Sequence, residues 1–384
     1  ILTGSFIIYF WKNKRIKNRI FDVLLIALTA GLSFKMQRNI PLYALGLWPI
    51  MTENLSGIFN FQLPIFNKFS TTNFQKLLHF IFILILTASI YWVTSGRFYN
   101  WLNSPKVFGL GVSSAAQDGT DFIKENKIQG LVFNNFDIGS YLAWQLYPEH
   151  QVFVDGRPEA YPVEFFEKIY KPMQSDERIW QEMSERYGIN YVFFAHTDMT
   201  EWANEFLTRI RKDKGWQMVF LNDAVIIFLK NTTANRQVID KYAISSQNIE
   251  EKILPILDKL DKKDDNAFVN FGNVLYRFNW LEASAKVYEA LIVNRPDQPY
   301  SYQGAGYAYA AMNDPETQEK AAKNLKKAID LGFKSFNNYF TLGIINANLG
   351  NLFEAEENIK KALEINPNNQ NARQVLEAIR NKLD

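Results

Sequence analysis

One stretch in the middle of the chain, residues 134–161, concentrates the side chains that could bind or transform a ligand. It reads NNFDIGSYLAWQLYPEHQVFVDGRPEAY, and its carboxylates, its arginine and its aromatic rings suit a ligand with hydroxyl or phosphate groups. In a structural alternative, the first aspartate caps a helix that starts at Ile138 and the second pairs with the arginine in a turn. The residues that we assign to substrate binding are Asp137, Gly139, Tyr141, Asp155 and Arg157.

These residues must be positioned by an α/β domain, which we place at 101–231. Short β-rich runs alternate with helical patterns there, and this alternation predicts a mainly parallel sheet that ends in a hairpin at Asn222-Asp223. The predicted strands are 130–133, 151–154, 190–194, 217–221 and 224–229. The predicted helices are 117–126, 138–147, 162–171, 176–187 and 200–212.

The predicted sheet brings the two halves of the stretch together. Neighbouring parallel strands lie about 4.8 Å apart, and their carboxyl ends share the edge where ligands bind. We therefore expect Asp137, Tyr141, Asp155 and Arg157 to line one pocket at that edge.

Composition excludes several kinds of site. The chain has 384 residues, no cysteine and three histidines, which excludes a thiol nucleophile, a cysteine zinc site and a histidine-rich metal site. The pair Gly109 and Gly111 lacks the third glycine of a nucleotide-binding loop. The sequence predicts no metal site and identifies no cofactor.

Charge and hydropathy separate the start of the chain from the rest. Residues 1–100 carry ten basic and two acidic side chains, whereas the later residues carry an excess of acid, and we expect no nucleic-acid partner. Apolar runs at 20–34, 40–52 and 77–96 predict transmembrane helices in contact with membrane lipid, since about 20 apolar residues span a bilayer. The basic loop at 12–19 places that side in the cytoplasm. We therefore expect an integral membrane protein whose soluble domains are extracytoplasmic.

A helical repeat occupies the end of the chain. Its clearest copy contains Tyr339, Leu342, Gly343, Gly350, Ala355, Ala362 and Pro367. A second copy contains Ala321 and Ala328, and a third contains Gly272, Ala283, Ala290 and Pro296. We expect a capping helix at 372–382 and a degenerate leading repeat at 249–260. The spacing resembles that of the tetratricopeptide repeat (TPR). This resemblance implies an all-α superhelix at 232–384 whose concave face takes a protein or peptide partner. A spacer or self-association role remains open.

A second resemblance concerns the membrane part. Several spans, the sequence Arg38-Asn39-Ile40-Pro41 before an apolar run and a large domain after the last span resemble the C-terminal part of polytopic C-type glycosyltransferases. The resemblance implies sugar transfer from a polyprenyl-phosphate carrier, with Arg38 and Lys35 near the carrier phosphate. Interfacial snorkelling is the alternative for these two residues.

One motif adds to this resemblance. Phe136-Asp137-Ile138-Gly139 is similar to a reduced Trp-Trp-Asp-Tyr-Gly motif of oligosaccharyltransferases, although only Asp137 and Gly139 match. The family's catalytic carboxylate lies upstream, and because the chain begins with Ile1 inside an apolar run, we expect a fragment whose catalytic residues are missing.

The predicted fold class is therefore multi-domain: transmembrane α-helices at 1–100, an α/β domain with a mainly parallel sheet at 101–231, and an all-α TPR superhelix at 232–384. Two functions fit this organisation. One is the C-terminal part of a membrane glycosyltransferase-like protein with a TPR tail for protein interaction. The other is a non-enzymatic, membrane-anchored TPR scaffold.

Overall fold

Two helices are described near the start of the chain, and a sheet with many helices follows. The computed structural model describes residues 20–35, 43–46, 48, 71–98, 114–262 and 264–383. The chain divides into two units, Ile1–Val93 and Thr94–Asp384.

The first unit contains α1 (Ile20–Lys35) and nearly all of α2 (Thr71–Thr94). Within the residues that the structure describes, no helix has both the length and the apolarity that crossing a bilayer requires. The 16 residues of α1 extend about 24 Å, against a hydrocarbon core of about 30 Å. α2 begins with the largely polar sequence TTNFQK. The predicted fold class is therefore wrong in its transmembrane helices, and the run at 40–52 lies mostly outside the described residues.

The second unit contains a four-stranded sheet, and α3 (Ser114–Glu125) lies wholly within this unit before the first strand. Its strands are β1 (Leu131–Asn134), β2 (Ile189–Ala195), β3 (Trp216–Leu221) and β4 (Val225–Lys230), in the order β1-β2-β4-β3. β1 and β2 run parallel, whereas β4 is antiparallel to both of its neighbours. The prediction of a mainly parallel sheet is therefore wrong. The predicted strand at 151–154 forms only an isolated bridge from Val152 to Val132.

Helices cover both faces of the sheet. Besides α3, they are α4 (Phe136–Leu146), α5 (Glu177–Arg186), α6 (Glu201–Ile210) and α7 (Arg236–Tyr242), and an irregular helical segment occupies 163–175. β2 reads INYVFFA and is buried along most of its length, which is typical of a strand that is covered on both faces. Tyr191 and Phe193 pack towards α3, α4 and α7. Val192 and Phe194 pack towards α5 and α6.

The rest of the unit is a helical array. Its helices are α8 (Ile249–Lys259), α9 (Asp265–Arg277), α10 (Leu281–Asn294), α11 (Pro299–Met312), α12 (Pro315–Asp330), α13 (Phe336–Asn348), α14 (Leu352–Ile365) and α15 (Gln370–Leu383). Three consecutive helix pairs, α9–α10, α11–α12 and α13–α14, are closed by α15. The predicted repeat thus has the helices that its spacing required.

Each pair is held together by a close approach at one glycine of its first helix. A Cβ atom at any of these three positions would lie within 2.8 Å of a side chain on the second helix, which is closer than packed atoms tolerate. The contacts pair Gly272 with Tyr288, Gly306 with Leu325 and Gly343 with Ile359. Small residues are therefore required where the paired helices touch.

In the first helix pair, the small residue that packs opposite the glycine lies one position later than predicted. Ser284, not Ala283, lies opposite Gly272, because its hydroxyl donates a hydrogen bond to the Gly272 carbonyl oxygen at 2.9 Å. The spacing between Gly272 and Ser284 is 12 residues, as in the last pair. A buried serine that bonds the facing backbone therefore takes the place of the expected alanine.

One hydrophobic core runs from the sheet into the array. Phe271, Phe278 and Trp280 of the first helix pair belong to the same buried cluster as Trp180 and Phe206 beside the sheet. The division of this unit at residues 231 and 232 stays a prediction.

Candidate functional site

Asp155 and Arg157 form a turn that is closed by an ion pair. Arg157 Nη2 lies 2.6 Å from Asp155 Oδ2, and Arg157 Nε donates to Asp155 Oδ1 at 3.1 Å. These hydrogen bonds hold the pKa of Asp155 below its ordinary value. The Asp155 backbone N–H donates to the Tyr161 hydroxyl at 3.1 Å. The structure therefore shows the turn pairing that the sequence left open as an alternative.

The Asp155–Arg157 pair should make stability depend on acid pH. Because the folded-state pKa of Asp155 is depressed, the pair stabilises the protein above the unfolded-state pKa of about 3.9, and this stabilisation is lost as pH falls through the folded-state pKa. We expect Arg157→Ala to be less stable than wild type at pH 7 and to approach it near pH 3. Urea unfolding at both pH values measures this, with Arg157→Lys as the charge-retaining control. A stability difference that is equal at both pH values would contradict it.

Gly139 is required by backbone packing. A Cβ atom there would lie 1.9 Å from the Val154 carbonyl oxygen and 2.8 Å from Asn134 Nδ2. The start of α4 therefore touches the chain at residue 154, which explains the glycine without a ligand.

Asp137 and Tyr141 have different surroundings from Asp155. Asp137 lies in the first turn of α4, where desolvation by the neighbouring protein, together with the negative charge of Asp198, raises its pKa. The N-cap of α4 is Asn135, so the structural alternative in which Asp137 caps this helix does not hold. The Tyr141 hydroxyl donates to Gln117 of α3 at 3.1 Å. The structure thus joins Asp155 to Arg157 but directs Tyr141 to another helix, and their common role in substrate binding stays a prediction.

The two residues assigned to a carrier phosphate cannot be placed. Lys35 is the last residue of α1, and its side chain is not among those described. Arg38 lies outside the described residues.

Two consecutive asparagines at the end of β1 have structural roles that were not predicted from the sequence. Asn134 is fully buried; its Nδ2 donates to the Val154 carbonyl oxygen at 2.7 Å, and its Oδ1 accepts from the Phe153 N–H at 2.9 Å. Asn135 Oδ1 accepts from the Ala195 N–H at 2.9 Å. The pair ties the segment at 153–154 and the end of β2 to β1, and two polar residues directly after a buried strand were the available signal.

A stripe of side chains in the helical array forms a second candidate site. Each of the first helices α9, α11 and α13 carries one packed glycine. Five positions share one side of the helix with one another: those six and three residues before this glycine, and those one, four and five residues after it. They share a side because successive residues of a helix turn by about 100°. All of them are exposed or half-buried. We call these side chains the inner face: Asn266, Val269, Asn273, Tyr276, Arg277, Tyr300, Gln303, Tyr307, Ala310, Ala311, Asn337, Phe340, Ile344, Ala347 and Asn348.

The contacts between helices of successive pairs indicate on which side of the array the inner face lies. The first helices of successive pairs contact one another more closely than the second helices do. In a curved stack, the helices that approach each other most closely line the concave side. We therefore expect the inner face to be the concave face that the repeat implies.

Hydrogen bonds between neighbouring helices fix part of the inner face. Gln303 Nε2 and the Tyr307 hydroxyl, both on α11, donate to Asn338 Oδ1 of α13 at 2.6 and 2.7 Å. Asn338 Nδ2 donates to the Phe333 carbonyl oxygen at 2.7 Å. Burial raises the pKa of Tyr307, so its hydroxyl remains protonated near neutral pH. An amide and aromatic surface is thus held in place before any partner arrives.

A cavity of about 350 Å³ lies where α3, the β3–β4 hairpin and α8 meet. Its acidic lining residues are Asp118, Asp121, Glu125, Asp223, Asp261 and Asp264. Burial, together with the charges of Asp264 and Asp118, raises the pKa of Asp223 to about 6. Within the part of the chain that the structure describes, no group of three or more acidic or histidine side chains is arranged to hold a metal ion.

The last helix pair matches a known family. The family model of the tetratricopeptide repeat matches residues 336–369, which contain α13 and α14. This segment is a tetratricopeptide repeat. No curated protein matches the chain.

Several solved structures are similar to the array. The first TPR of Spaghetti (RPAP3), bound to the HSP90 peptide SRMEEVD, is 21% identical with a TM-score of 0.30, over 32% of this chain and 96% of that one. YrrB, a TPR protein with an unusual peptide-binding site, is 23% identical with a TM-score of 0.29, over 35% and 66%. The second TPR domain of human RPAP3, in complex with the HSP70 peptide SGPTIEEVD, is 22% identical with a TM-score of 0.28, over 29% and 92%.

Proposed function

We propose that the helical array is a protein-interaction module whose inner face binds a peptide segment of a partner protein. The observation that carries this proposal is the inner face itself, a continuous stripe over three helices in which no side chain is fully buried. Aromatic side chains supply large contact areas, and amides can hydrogen-bond a peptide backbone. The division into an α/β part at 101–231 and an array at 232–384 is proposed with it.

Sugar transfer receives less support from the described residues. Asp155 and Arg157 are occupied by each other, and Gly139 is explained by its contact with Val154. Self-association through the same face is the main competing role of the array, and the experiment below separates it from peptide binding.

The experiment selects peptides from a random display library on the full chain and measures their affinity for two tyrosine variants. Tyr307→Ala removes an aromatic side chain from the inner face and should weaken binding by about tenfold or more, because central aromatic residues dominate interfaces. Tyr302→Ala is the matched control on the same helix, since its hydroxyl bonds the Pro296 carbonyl oxygen away from this face. It should change affinity by less than about twofold.

Three results would contradict the proposal. They are no enriched peptide, equal losses in both tyrosine variants, and a stable dimer that buries the inner face in size-exclusion and crosslinking measurements. Thermal unfolding of both variants tests whether each remains folded.

A further inference from the structure

In the last two helix pairs of the array, the charged helical residues lie on the second helices, α12 and α14. The first helices α11 and α13 contain 14 and 13 residues and no charged side chain. By contrast, the second helix α12 carries seven charged side chains in 16 residues. The inner face is therefore surrounded by charge but contains almost none.

α9, the first helix of the first pair, carries two charged residues, and both make contacts within the protein. Arg277 Nη1 donates to the His196 carbonyl oxygen at 3.2 Å. Asp265 accepts a hydrogen bond from the Tyr300 hydroxyl at 2.7 Å and faces Arg295 at 3.6 Å. A charged group of a partner would therefore have to compete with internal contacts at this end of the face.

From this segregation we infer that the inner face selects an uncharged peptide segment with amide and apolar side chains. The inference rests on the proposed function and specifies the partner of that site. An ionised side chain that enters this face at α11 or α13 loses hydration without gaining an opposite charge, which is unfavourable. Neutral amides can instead pair with exposed Asn273, Asn337 and Asn348, while apolar side chains can contact Phe340 and Ile344.

If the inner face binds uncharged segments, the affinity for peptides should depend little on salt concentration. Attraction between opposite charges weakens as ions screen it, whereas apolar contact and neutral hydrogen bonds respond little. Peptides selected on the full chain should contain fewer charged residues than the starting library. Their affinities should change by less than about twofold between about 50 mM and about 500 mM NaCl. The acidic peptide SRMEEVD should bind at least about tenfold more weakly than they do.

A charge-addition variant tests the cause of this selectivity. Asn337 is exposed on the inner face, so Asn337→Lys adds a cation there and should raise the affinity for SRMEEVD about threefold or more. Glu319→Gln changes the net charge of the chain by the same amount at an exposed position on α12 and should leave this affinity unchanged. Equal responses of the two variants would overturn the charge argument.

The outcomes separate the inference from the proposed function. If the selected peptides are predominantly acidic or basic, or lose about tenfold in affinity at high salt, but still depend on Tyr307, the inference fails and peptide binding stands. If no peptide is enriched, or if binding does not depend on Tyr307, the proposed function fails as well.

Discussion

Gly139→Ala is expected to lower the free energy of unfolding by about 3 kcal/mol or more, the upper range for an overpacked interior. The added Cβ atom would lie 1.9 Å from the Val154 carbonyl oxygen, and backbone cannot yield as a flexible side chain can. Any shift that relieved this contact would also disturb the buried hydrogen bond from Asn134 to the same oxygen. Urea unfolding followed by circular dichroism measures the effect.

The neighbouring substitution Ser140→Ala is the control for Gly139→Ala. It removes one exposed hydrogen bond, from the Gly156 N–H to the serine hydroxyl at 3.0 Å, and should cost no more than about 1 kcal/mol. A Gly139→Ala protein as stable as Ser140→Ala would show that α4 does not approach residue 154 as closely as described.

Ala362→Phe is expected to destabilise the helical array by about 1–3 kcal/mol. Ala362 is fully buried in α14 and belongs to the cluster that joins the three helix pairs. A phenyl ring has no room there without separating the helices. Ala378→Phe places the same side chain at an exposed position of α15 and should cost only the difference in helix propensity, about 0.5 kcal/mol. Equal unfolding curves for the two variants would contradict the close packing.

The helical array was predictable from the sequence because its packing depends on small residues at fixed spacing. Those residues predicted three helix pairs and a closing helix, all of which are present. The alignment of the first pair was not predictable, since Ala283 and Ser284 are both small and adjacent. Only the hydrogen bond from Ser284 to the Gly272 carbonyl oxygen distinguishes them.

The direction of the strands was harder to predict. Buried strands have similar apolar sequences whether their neighbours run parallel or antiparallel. The asparagine and aspartate at 222–223 indicated the β3–β4 hairpin, but nothing local indicated that β2 would pair with β4. The segment at 151–154 did not become a full strand, and the buried side chain of Asn134 bonds its backbone.

The candidate site at residues 134–161 was predictable only in part. Aspartate, glycine and arginine after a strand suit either a ligand site or a tight turn, and the residue types do not separate the two. The stronger sequence signal for a binding surface lies in the helical array. α11 and α13 lack charge while the helices that follow them are highly charged, and this contrast is visible in the sequence.

We propose above all that the inner face is the surface that binds a partner. Hydrogen exchange measured by mass spectrometry on the full chain, with and without a saturating selected peptide, tests it most directly, because bound segments open less often. We expect α11 and α13 to gain protection from exchange while the sheet and its covering helices exchange as before. Protection confined to residues 114–231, or to the charged second helices α12 and α14, would contradict it.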